Sequence, residues 1–425
     1  MSSADAGAGA EADAGAGAEA GAGAGAGIGG GTVYLDAAAA GPVRREALEA
    51  AWPYLTGVFA NPSSHHAEGE ASAAGLEDAR ARAARVLGVR RHEIVFTAGG
   101  TEAANLAIKG LALASPRGKH LVTSPLEHEA VRESVDHLRR LHGFEVTEVG
   151  VGSAGEITPS ALRAALRGDT TLVSLALANS EIGTVTDVRG LAGIAHEVGA
   201  LVHTDAVQAA GWLDLRGLGV DALTLAGHKV GAPKGSGLAM LRGRLPVEPL
   251  VHGGGQENGR RSGTENVAFA VALAVALELA EAERTERVAR IAPLRDLLLE
   301  RALAAGAVLT GPRAPRHPGH LSFCVPGRSG ESVLLDLERR GVTASSGSAC
   351  AAGSDDPSPV LLALGIPPQL AQSAVRLTLG GDLTAAEAQH AAEALTAVLA
   401  PPSPSARPLS PAPGGLTVGA ESSLR

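Results

Sequence analysis

Short runs of β-branched and apolar residues alternate along this chain with longer stretches rich in Ala, Leu, Glu and Arg that have helical periodicity. The predicted strands are Glu93–Thr97, His120–Thr123, Thr171–Leu175, Leu201–Thr204, Ala222–Leu225 and Leu238–Leu241. The helical stretches between them include Glu68–Leu87, Glu102–Leu113 and Leu191–Val198. Because alternating strands and helices form parallel sheets with helices on both faces, the pattern predicts an α/β fold with a mostly parallel sheet.

The two ends of the chain differ in composition from the rest. Residues 1–31 are almost wholly Gly and Ala with scattered acidic residues, and residues 401–425 are rich in Pro and Ser. Such segments have too few apolar side chains to offset the entropy lost on ordering. We therefore predict disordered tails on both sides of a folded part.

The folded part is long enough for two domains. Its character changes at a long charged helix, Arg284–Ala304, which leads into short strands and a final helix, Ala385–Leu399. We expect a large domain over 44–284. A smaller α+β domain is expected from 32–43 together with 285–400.

Composition excludes several classes of protein. The formal net charge of −9 argues against direct binding of nucleic acid, which usually needs a basic surface. The apolar stretch Val267–Leu277 is interrupted by Glu278 and is too short to cross a bilayer, and no secretory signal is visible. Two cysteines, Cys324 and Cys350, form no disulfide framework. A cytoplasmic protein without a membrane anchor or a metal site is expected.

Two features follow predicted strands at the edge where open α/β sheets bind ligands. Gly100 and Thr101 lie in a glycine turn that opens a helix and suits a phosphate group. Such turns also join strands to helices for reasons of packing alone. His128 follows the second strand, where a lone histidine is more often structural than catalytic. Neither feature identifies a function by itself.

Polar residues follow two further predicted strands. Asp205 and Gln208 come after Leu201–Thr204, and His228 and Lys229 come after Ala222–Leu225. Lys229 is either an ordinary surface cation or an amine that forms an imine. Pyridoxal phosphate (PLP) needs a lysine for the imine, a carboxylate for its pyridine nitrogen and a cup for its phosphate. Lys229, Asp205 and the glycine turn offer all three at one sheet edge. The joint pattern therefore indicates PLP.

Longer motifs occur in a fixed order along the chain: Tyr34-Leu35-Asp36, Asn61-Pro-Ser-Ser-x-His66, Thr97-x-Gly99-x-Thr101-Glu102, Glu127-His128, Ser180-Glu181-x-Gly183, His203-x-Asp205-Ala206-x-Gln208, Gly227-His228-Lys229, His252-Gly-Gly-Gly-Gln256-Glu257, Arg261-Ser-Gly-Thr264 and Ser345-Ser-Gly-Ser-Ala-Cys350. Over about residues 32–400 the chain resembles the cysteine desulfurases of the NifS/IscS type, in the class V aminotransferase group. The resemblance implies the type I fold of PLP-dependent transferases, with a seven-stranded sheet in the large domain. It also implies conversion of L-cysteine to L-alanine, with the sulfur passing to an enzyme cysteine as a persulfide.

The resemblance gives the candidate residues their expected roles. Lys229 would hold PLP as an imine and move protons, and His128 would stack on the ring and assist proton transfer. Asp205 would pair with the ring nitrogen, and Gln208 with the ring oxygen. Cys350 would be the nucleophile that takes the sulfur.

The remaining roles concern the phosphate, the substrate and the partners. Gly100, Thr101 and His228 would hold the phosphate. Thr264 would reach the cofactor phosphate of a neighbouring subunit, which implies a homodimer. Arg376 would bind the carboxylate of L-cysteine, a task that suits a bidentate guanidinium. The sulfur acceptor would be an iron–sulfur scaffold protein or a thiolation enzyme.

The two cysteines differ in their surroundings. Cys350 lies among small residues in a segment typical of a loop, and the uninterrupted segment resembles the longer-loop subgroup that serves iron–sulfur cluster assembly and tRNA thiolation. Cys324 lies in the apolar run Leu-Ser-Phe-Cys-Val and is predicted to be a buried structural residue.

The chain departs from the family pattern at three places. Ser180 stands where an Asn usually contacts cofactor and substrate, Ala226 stands in the place of a Ser that contacts the phosphate, and 39–42 read Ala-Ala-Gly-Pro in the place of Ala-Thr-Thr-Pro. These departures keep a selenocysteine lyase, a β-lyase or an aminotransferase open as alternatives. A catalytically retired sulfur carrier is a third possibility, against which the intact Lys229 and Cys350 argue.

Overall fold

The computed structural model describes residues 31–115, 117–243, 245–346 and 356–400. Its strands are β1 Val33–Tyr34, β2 Ile94–Thr97, β3 His120–Thr123, β4 Glu145–Glu148, β5 Thr170–Ser174, β6 Leu201–Asp205, β7 Ala222–Ala226, β8 Gly237–Leu241, β9 Val308–Leu309, β10 His320–Cys324, β11 Val342–Thr343 and β12 Ala374–Thr378. Its helices are α1 Arg45–Thr56, α2 Ala67–Leu87, α3 Gly100–Ala114, α4 Glu129–His142, α5 Pro159–Ala165, α6 Val188–Glu197, α7 Val267–Ala282, α8 Arg284–Ala304, α9 Gly330–Glu338, α10 Pro359–Ala363, α11 Pro368–Ala371 and α12 Ala385–Leu399. Short 3₁₀ turns cover Arg91–Glu93, Gly227–Lys229 and Glu257–Gly259.

Seven strands form the large sheet in the order β2-β8-β7-β6-β5-β3-β4. β8 runs antiparallel to both of its neighbours, and the other neighbouring pairs run parallel. The prediction of an α/β fold with a mostly parallel sheet is confirmed. Because β2, β3, β5, β6 and β7 all point the same way, their carboxyl ends meet at one edge of the sheet.

The predicted elements agree closely with the observed ones. The strand predicted at Thr171–Leu175 is shifted by a single residue, and Arg284–Ala304 and Ala385–Leu399 have the predicted bounds. The sequence pattern missed β4. This strand lies at the sheet edge with its side chains exposed or half-buried, so it has no apolar run to identify it.

Helices cover both faces of the large sheet. Successive side chains of a strand point to opposite faces. Phe96 therefore belongs to a core that includes residues of α1, α2, α6 and α7, whereas its neighbour Val95 belongs to a core that includes residues of α3 and α4. Aromatic residues make up only 2% of the chain, and both cores consist mostly of Ala, Val and Leu.

The apolar helix α7 packs inside the protein. It lies against both α1 and α2, and Ala272, Leu273 and Ala276 are fully buried. Within the ranges described above, no helix is both long enough and apolar enough to cross a bilayer.

A separate hydrophobic core joins the start of the described chain to its C-terminal part. Val33 and Leu35 pack in it with Ile291 of α8, Phe323 of β10 and Leu395 of α12. In this region β10 lies between β9 and β12 in an antiparallel sheet, and β1 pairs in parallel with β11. The first strand therefore shares its core with residues that are about 250 positions or more away along the chain.

Candidate active site

Residues predicted to bind PLP meet at the carboxyl edge of the large sheet. Asp205 ends β6, and Lys229 ends the 3₁₀ turn after the neighbouring β7. The Lys229 Nζ atom donates hydrogen bonds to the carbonyl oxygens of Ala38 and Ala39, the second at 2.7 Å. The Gln208 Nε2 atom donates to the same Ala38 carbonyl at 3.1 Å. The N-terminal segment, residues 36–39 after β1, thus contacts the side chains of Lys229 and Gln208.

Asp205 has an environment that favours a cationic partner. Its Oδ1 atom accepts a hydrogen bond from the N–H of Val207 at 2.9 Å. Burial raises the pKa of Asp205, and the charges of His128 and Lys229 act in the opposite direction. A cation placed against this carboxylate would stabilise its ionised form, and the protonated ring nitrogen of PLP is such a cation.

The predicted phosphate cup corresponds to the first turn of α3, which begins with Gly100 and Thr101. The N–H groups of a first helical turn have no partner inside the helix, so they attract an anion. A Cβ atom on Gly100 would lie 3.0 Å from Val207 and 3.1 Å from Ala226, so the turn packs directly against the ends of β6 and β7. The absence of a side chain at Gly100 permits this close approach.

His228 lies two residues after Ala226, which packs against Gly100, and its low pKa leaves the side chain uncharged at neutral pH. Burial, with smaller contributions from Lys229 and Lys234, lowers the pKa of His228 to about 4. A neutral imidazole still donates one N–H hydrogen bond, which a phosphate oxygen can accept.

His128 lies at the same edge as the N-cap of α4. Its Nδ1 atom accepts a hydrogen bond from the N–H of Ala130 at 3.0 Å, and the residue is exposed. The preceding residue, Glu127, is buried. The sequence analysis gave Glu127 no role, although the Glu127-His128 motif contains it.

Arg376, the residue predicted to bind the substrate carboxylate, belongs to β12. Its Nη2 atom donates to Asp36 Oδ1 at 2.8 Å, and its Nη1 atom donates to the Ser180 carbonyl at 3.2 Å. The same carbonyl lies 2.9 Å from His320 Nε2. Sequence reasoning missed Asp36 and His320. The Tyr34-Leu35-Asp36 motif was a signal for the first, whereas His320 has no motif of its own.

The turn that carries Ser180 is held by the residue before it. Asn179 Oδ1 accepts hydrogen bonds from the N–H groups of Glu181 and Ile182 at 2.7 and 2.8 Å, and its Nδ2 atom donates to the Leu126 carbonyl at 2.8 Å. Asn179 therefore joins the turn after β5 to the turn after β3. Sequence analysis described Ser180 as a departure at this place and did not identify the structural role of Asn179.

Cys350 lies in the segment 347–355, outside the described residues. On one side of that segment, Ser345 exchanges backbone hydrogen bonds of 3.1 and 2.7 Å with Arg376. On the other side, the Ser358 hydroxyl donates to Glu181 at 2.5 Å. Cys324 is fully buried in β10, and burial raises the pKa of its thiol to about 11, so the prediction of a buried structural cysteine is confirmed.

Thr264 lies in an exposed loop near the first turn of α3. Arg261, in the same loop, forms an ion pair of 2.9 Å with Glu102 of α3. Thr264 lines a cavity of about 140 Å³ together with Thr97 and Ala98. Its expected contact with a neighbouring subunit stays a prediction.

Comparison with known proteins agrees with this geometry. Residues 33–390 match the family described as Aminotransferase class-V, and the chain belongs to that family. A relative named cysteine desulfurase IscS, from Dictyoglomus turgidum, is 42% identical over 372 residues, which are 86% of this chain and 94% of the relative. The predicted kinship with the NifS/IscS type of cysteine desulfurase is thereby confirmed.

Two solved structures extend the comparison. A NifS-like protein has a TM-score of 0.81 at 34% identity and covers 87% of this chain and 99% of its own. A structure described as SspA in complex with cysteine has a TM-score of 0.72 at 33% identity and covers 81% and 98%. The predicted type I fold is confirmed. The class V aminotransferase family, to which the chain belongs, consists of PLP-dependent enzymes.

Proposed function

We propose that this chain is a cysteine desulfurase. It converts L-cysteine to L-alanine: the C–S bond of the substrate breaks, and an S–S bond forms to the thiol of Cys350. The observation that carries the proposal is the meeting of Lys229, Asp205 and Gln208 at one sheet edge. The names of the curated relatives support the same reaction.

PLP, when bound, supplies an electron sink for negative charge at the substrate Cα atom. The described residues fit its three parts, since a helix N-terminus suits the phosphate, a buried carboxylate suits the ring nitrogen and a lysine amine suits the aldehyde. The residues assigned to the cofactor are Gly100, Thr101, Ser180, Asp205, Gln208, His228, Lys229 and, from a second subunit, Thr264.

Three side chains act on the substrate in this proposal. Arg376 binds the carboxylate of L-cysteine and, with Ser180, sets the position of the substrate Cα atom. Lys229 takes and returns the proton at that atom. His128 assists proton transfer at the substrate thiol and at the cofactor ring. The large domain of 44–284 then holds the cofactor, and the small domain of 32–43 and 285–400 supplies Arg376 and Cys350.

A homodimer is part of the proposal because one apolar face is exposed. Leu48, Trp52 and Leu55 share one side of α1, and Phe59 continues it, with exposed fractions of 50%, 64%, 54% and 76%. An exposed stripe with aromatic residues is typical of a surface that a partner covers. We assign this apolar face to contact with a second copy of this chain. The sulfur acceptor is an iron–sulfur scaffold protein or a thiolation enzyme, and the protein acts in the cytoplasm.

One experiment separates the proposed reaction from its alternatives. Purified protein receives L-cysteine and a thiol reductant, and alanine, sulfide and pyruvate are measured together. Equal amounts of alanine and sulfide support a desulfurase. Pyruvate with sulfide identifies a β-lyase. In parallel assays, formation of a sulfur-containing keto acid when an α-keto acid is supplied as amino acceptor identifies an aminotransferase, and turnover of selenocysteine but not of L-cysteine identifies a selenocysteine lyase. Absence of all products, with PLP bound, favours a retired carrier.

A further inference from the structure

Glu127 connects two strand ends behind the site. It follows β3, and its Oε1 atom accepts a hydrogen bond of 2.7 Å from the Ser124 hydroxyl and one of 3.0 Å from the N–H of Ala176, just beyond β5. β3 and β5 are neighbours in the sheet. The Glu127 carboxyl group therefore ties the turn that carries His128 to the end of the next strand.

The second carboxyl oxygen of Glu127 is in a different situation. Glu127 is only 4% exposed, and its Oε2 atom has no hydrogen-bond partner among the described residues. A buried ionised oxygen without donors is costly, whereas a protonated carboxyl carries a hydrogen on one oxygen and accepts hydrogen bonds at the other. Burial, with a smaller contribution from Asp205, raises the pKa of Glu127 to about 8. Its carboxyl group is thus neutral at neutral pH.

The charged groups around Glu127 come from the neighbouring strand ends. Asp205, at the end of β6, is the charged residue that acts on Glu127, and His128 and Lys229 act on Asp205 in turn. The backbone links the two residues as well, because Ala176 donates to the Glu127 carboxyl group and the next residue, Leu177, donates to the main-chain carbonyl of Asp205 at 2.9 Å. Ionisation of Glu127 would place a second negative charge near Asp205 and raise the pKa of Asp205 further.

We propose that Glu127 is a positioning residue that works as a neutral carboxylic acid. It fixes the turn that presents His128 to the cofactor, and it leaves Asp205 as the carboxylate that meets the ring nitrogen. This inference rests on the proposed function, since it assigns the partner of Asp205 to PLP.

Two variants of the full-length protein test the inference. Glu127→Gln is the matched isostere, because an amide accepts at its oxygen and donates at its nitrogen as the neutral acid does. Glu127→Ala removes both contacts. PLP release from the purified proteins is followed by absorbance. We expect Glu127→Gln to stay within about twofold of wild type. Glu127→Ala leaves the Ser124 hydroxyl and the Ala176 N–H without this acceptor and should lose PLP about tenfold faster.

The second measurement is the thermal unfolding midpoint at several pH values. The pKa of Glu127 rises from its usual 4.5 to about 8 on folding, so the folded protein binds the extra proton within this window. Wild type therefore loses stability as pH rises through the window, and the loss is complete above the folded pKa. Glutamine does not titrate. The midpoint of Glu127→Gln should rise relative to wild type from about pH 5 to about pH 8 and then level off.

The outcomes are distinguishable. A Glu127→Gln protein that loses PLP as fast as Glu127→Ala, or a midpoint difference independent of pH, overturns the inference. If Glu127→Ala does not fold, the comparison of Glu127→Gln with wild type decides alone. If wild type binds no PLP, the proposed function fails, whereas the pH dependence of the midpoint still decides whether Glu127 is protonated.

Discussion

The proposed cofactor side and the proposed substrate side of the site are built in different ways. On the cofactor side, Asp205 and Lys229 stand at the ends of neighbouring strands of one sheet. On the substrate side, Arg376 from β12 meets Asp36 from the N-terminal segment and Ser180 from a turn after β5. The sheet places the backbone of the first group, and the Ala38 and Ala39 carbonyls add hydrogen bonds to the Lys229 amine. The second group exists only when both ends of the described chain pack against the sheet.

This difference predicts an asymmetry in function. Changes on the substrate side should leave the cofactor bound, because its contacts come from the sheet edge. Changes on the cofactor side should disable both cofactor binding and the reaction of the substrate, because the substrate reacts only on the bound cofactor. The following predictions are ordered by the size of the expected effect.

The largest effect is expected for Lys229→Ala, since no other group of the proposal supplies the amine. Desulfurase activity should fall at least about 1000-fold, as for the loss of a covalent catalyst. Borohydride reduction of wild type should fix the cofactor to Lys229 alone, as identified by peptide mapping. Lys234→Ala is the matched control, because Lys234 is exposed nearby and should tolerate the change. Label on another lysine contradicts the assignment.

A large effect confined to the sulfur step is expected for Cys350→Ser. The variant should keep its PLP absorbance but form no persulfide, with sulfide release reduced at least about 100-fold. Cys324→Ser is the control within the same protein. It should retain near-normal activity and lose some stability, because a hydroxyl replaces a fully buried thiol. Equal losses of activity in both variants would show that the two thiols are assigned wrongly.

An intermediate effect is expected for Arg376→Lys. The lysine keeps the charge but not the two-pronged geometry, so kcat/KM for L-cysteine should fall about 10- to 100-fold, mainly through KM. PLP content should not change. Asp36→Asn, which keeps a hydrogen-bond acceptor beside Arg376, should raise KM less. Loss of PLP from Arg376→Lys would break the proposed separation of the two sides.

The smallest effects are expected where the chain departs from its family. Ala226 is buried beside Gly100, so Ala226→Ser should add a hydroxyl near the phosphate cup and tighten PLP binding about tenfold, or about 1.4 kcal/mol. Ser180→Asn should act mainly on KM for L-cysteine. Titration of the apo-protein and steady-state kinetics on both variants and their combination measure this. Lower activity of Ser180→Asn would favour a different substrate.

The sheet, and the position of the candidate cofactor residues at one of its edges, could be predicted because each depends on a short stretch of sequence. An apolar run such as His120–Thr123 identifies a strand by itself, and the residues after parallel strands necessarily share one edge. The phosphate cup, Asp205 and Lys229 all follow from that rule. The two-residue strands β1, β9 and β11 carry no comparable pattern, since their pairing depends on distant partners.

The sequence by itself thus determined the α/β class and the sheet edge at which the candidate site residues meet. Only the tertiary structure decided that Asp36 pairs with Arg376 across most of the described chain, and that Glu127 is buried with one oxygen unpartnered. The physical reason is that ion pairing and pKa depend on which groups burial brings together. The type of a residue determines which hydrogen bonds and charges it can supply. Its neighbours in the folded structure determine which of these it actually forms.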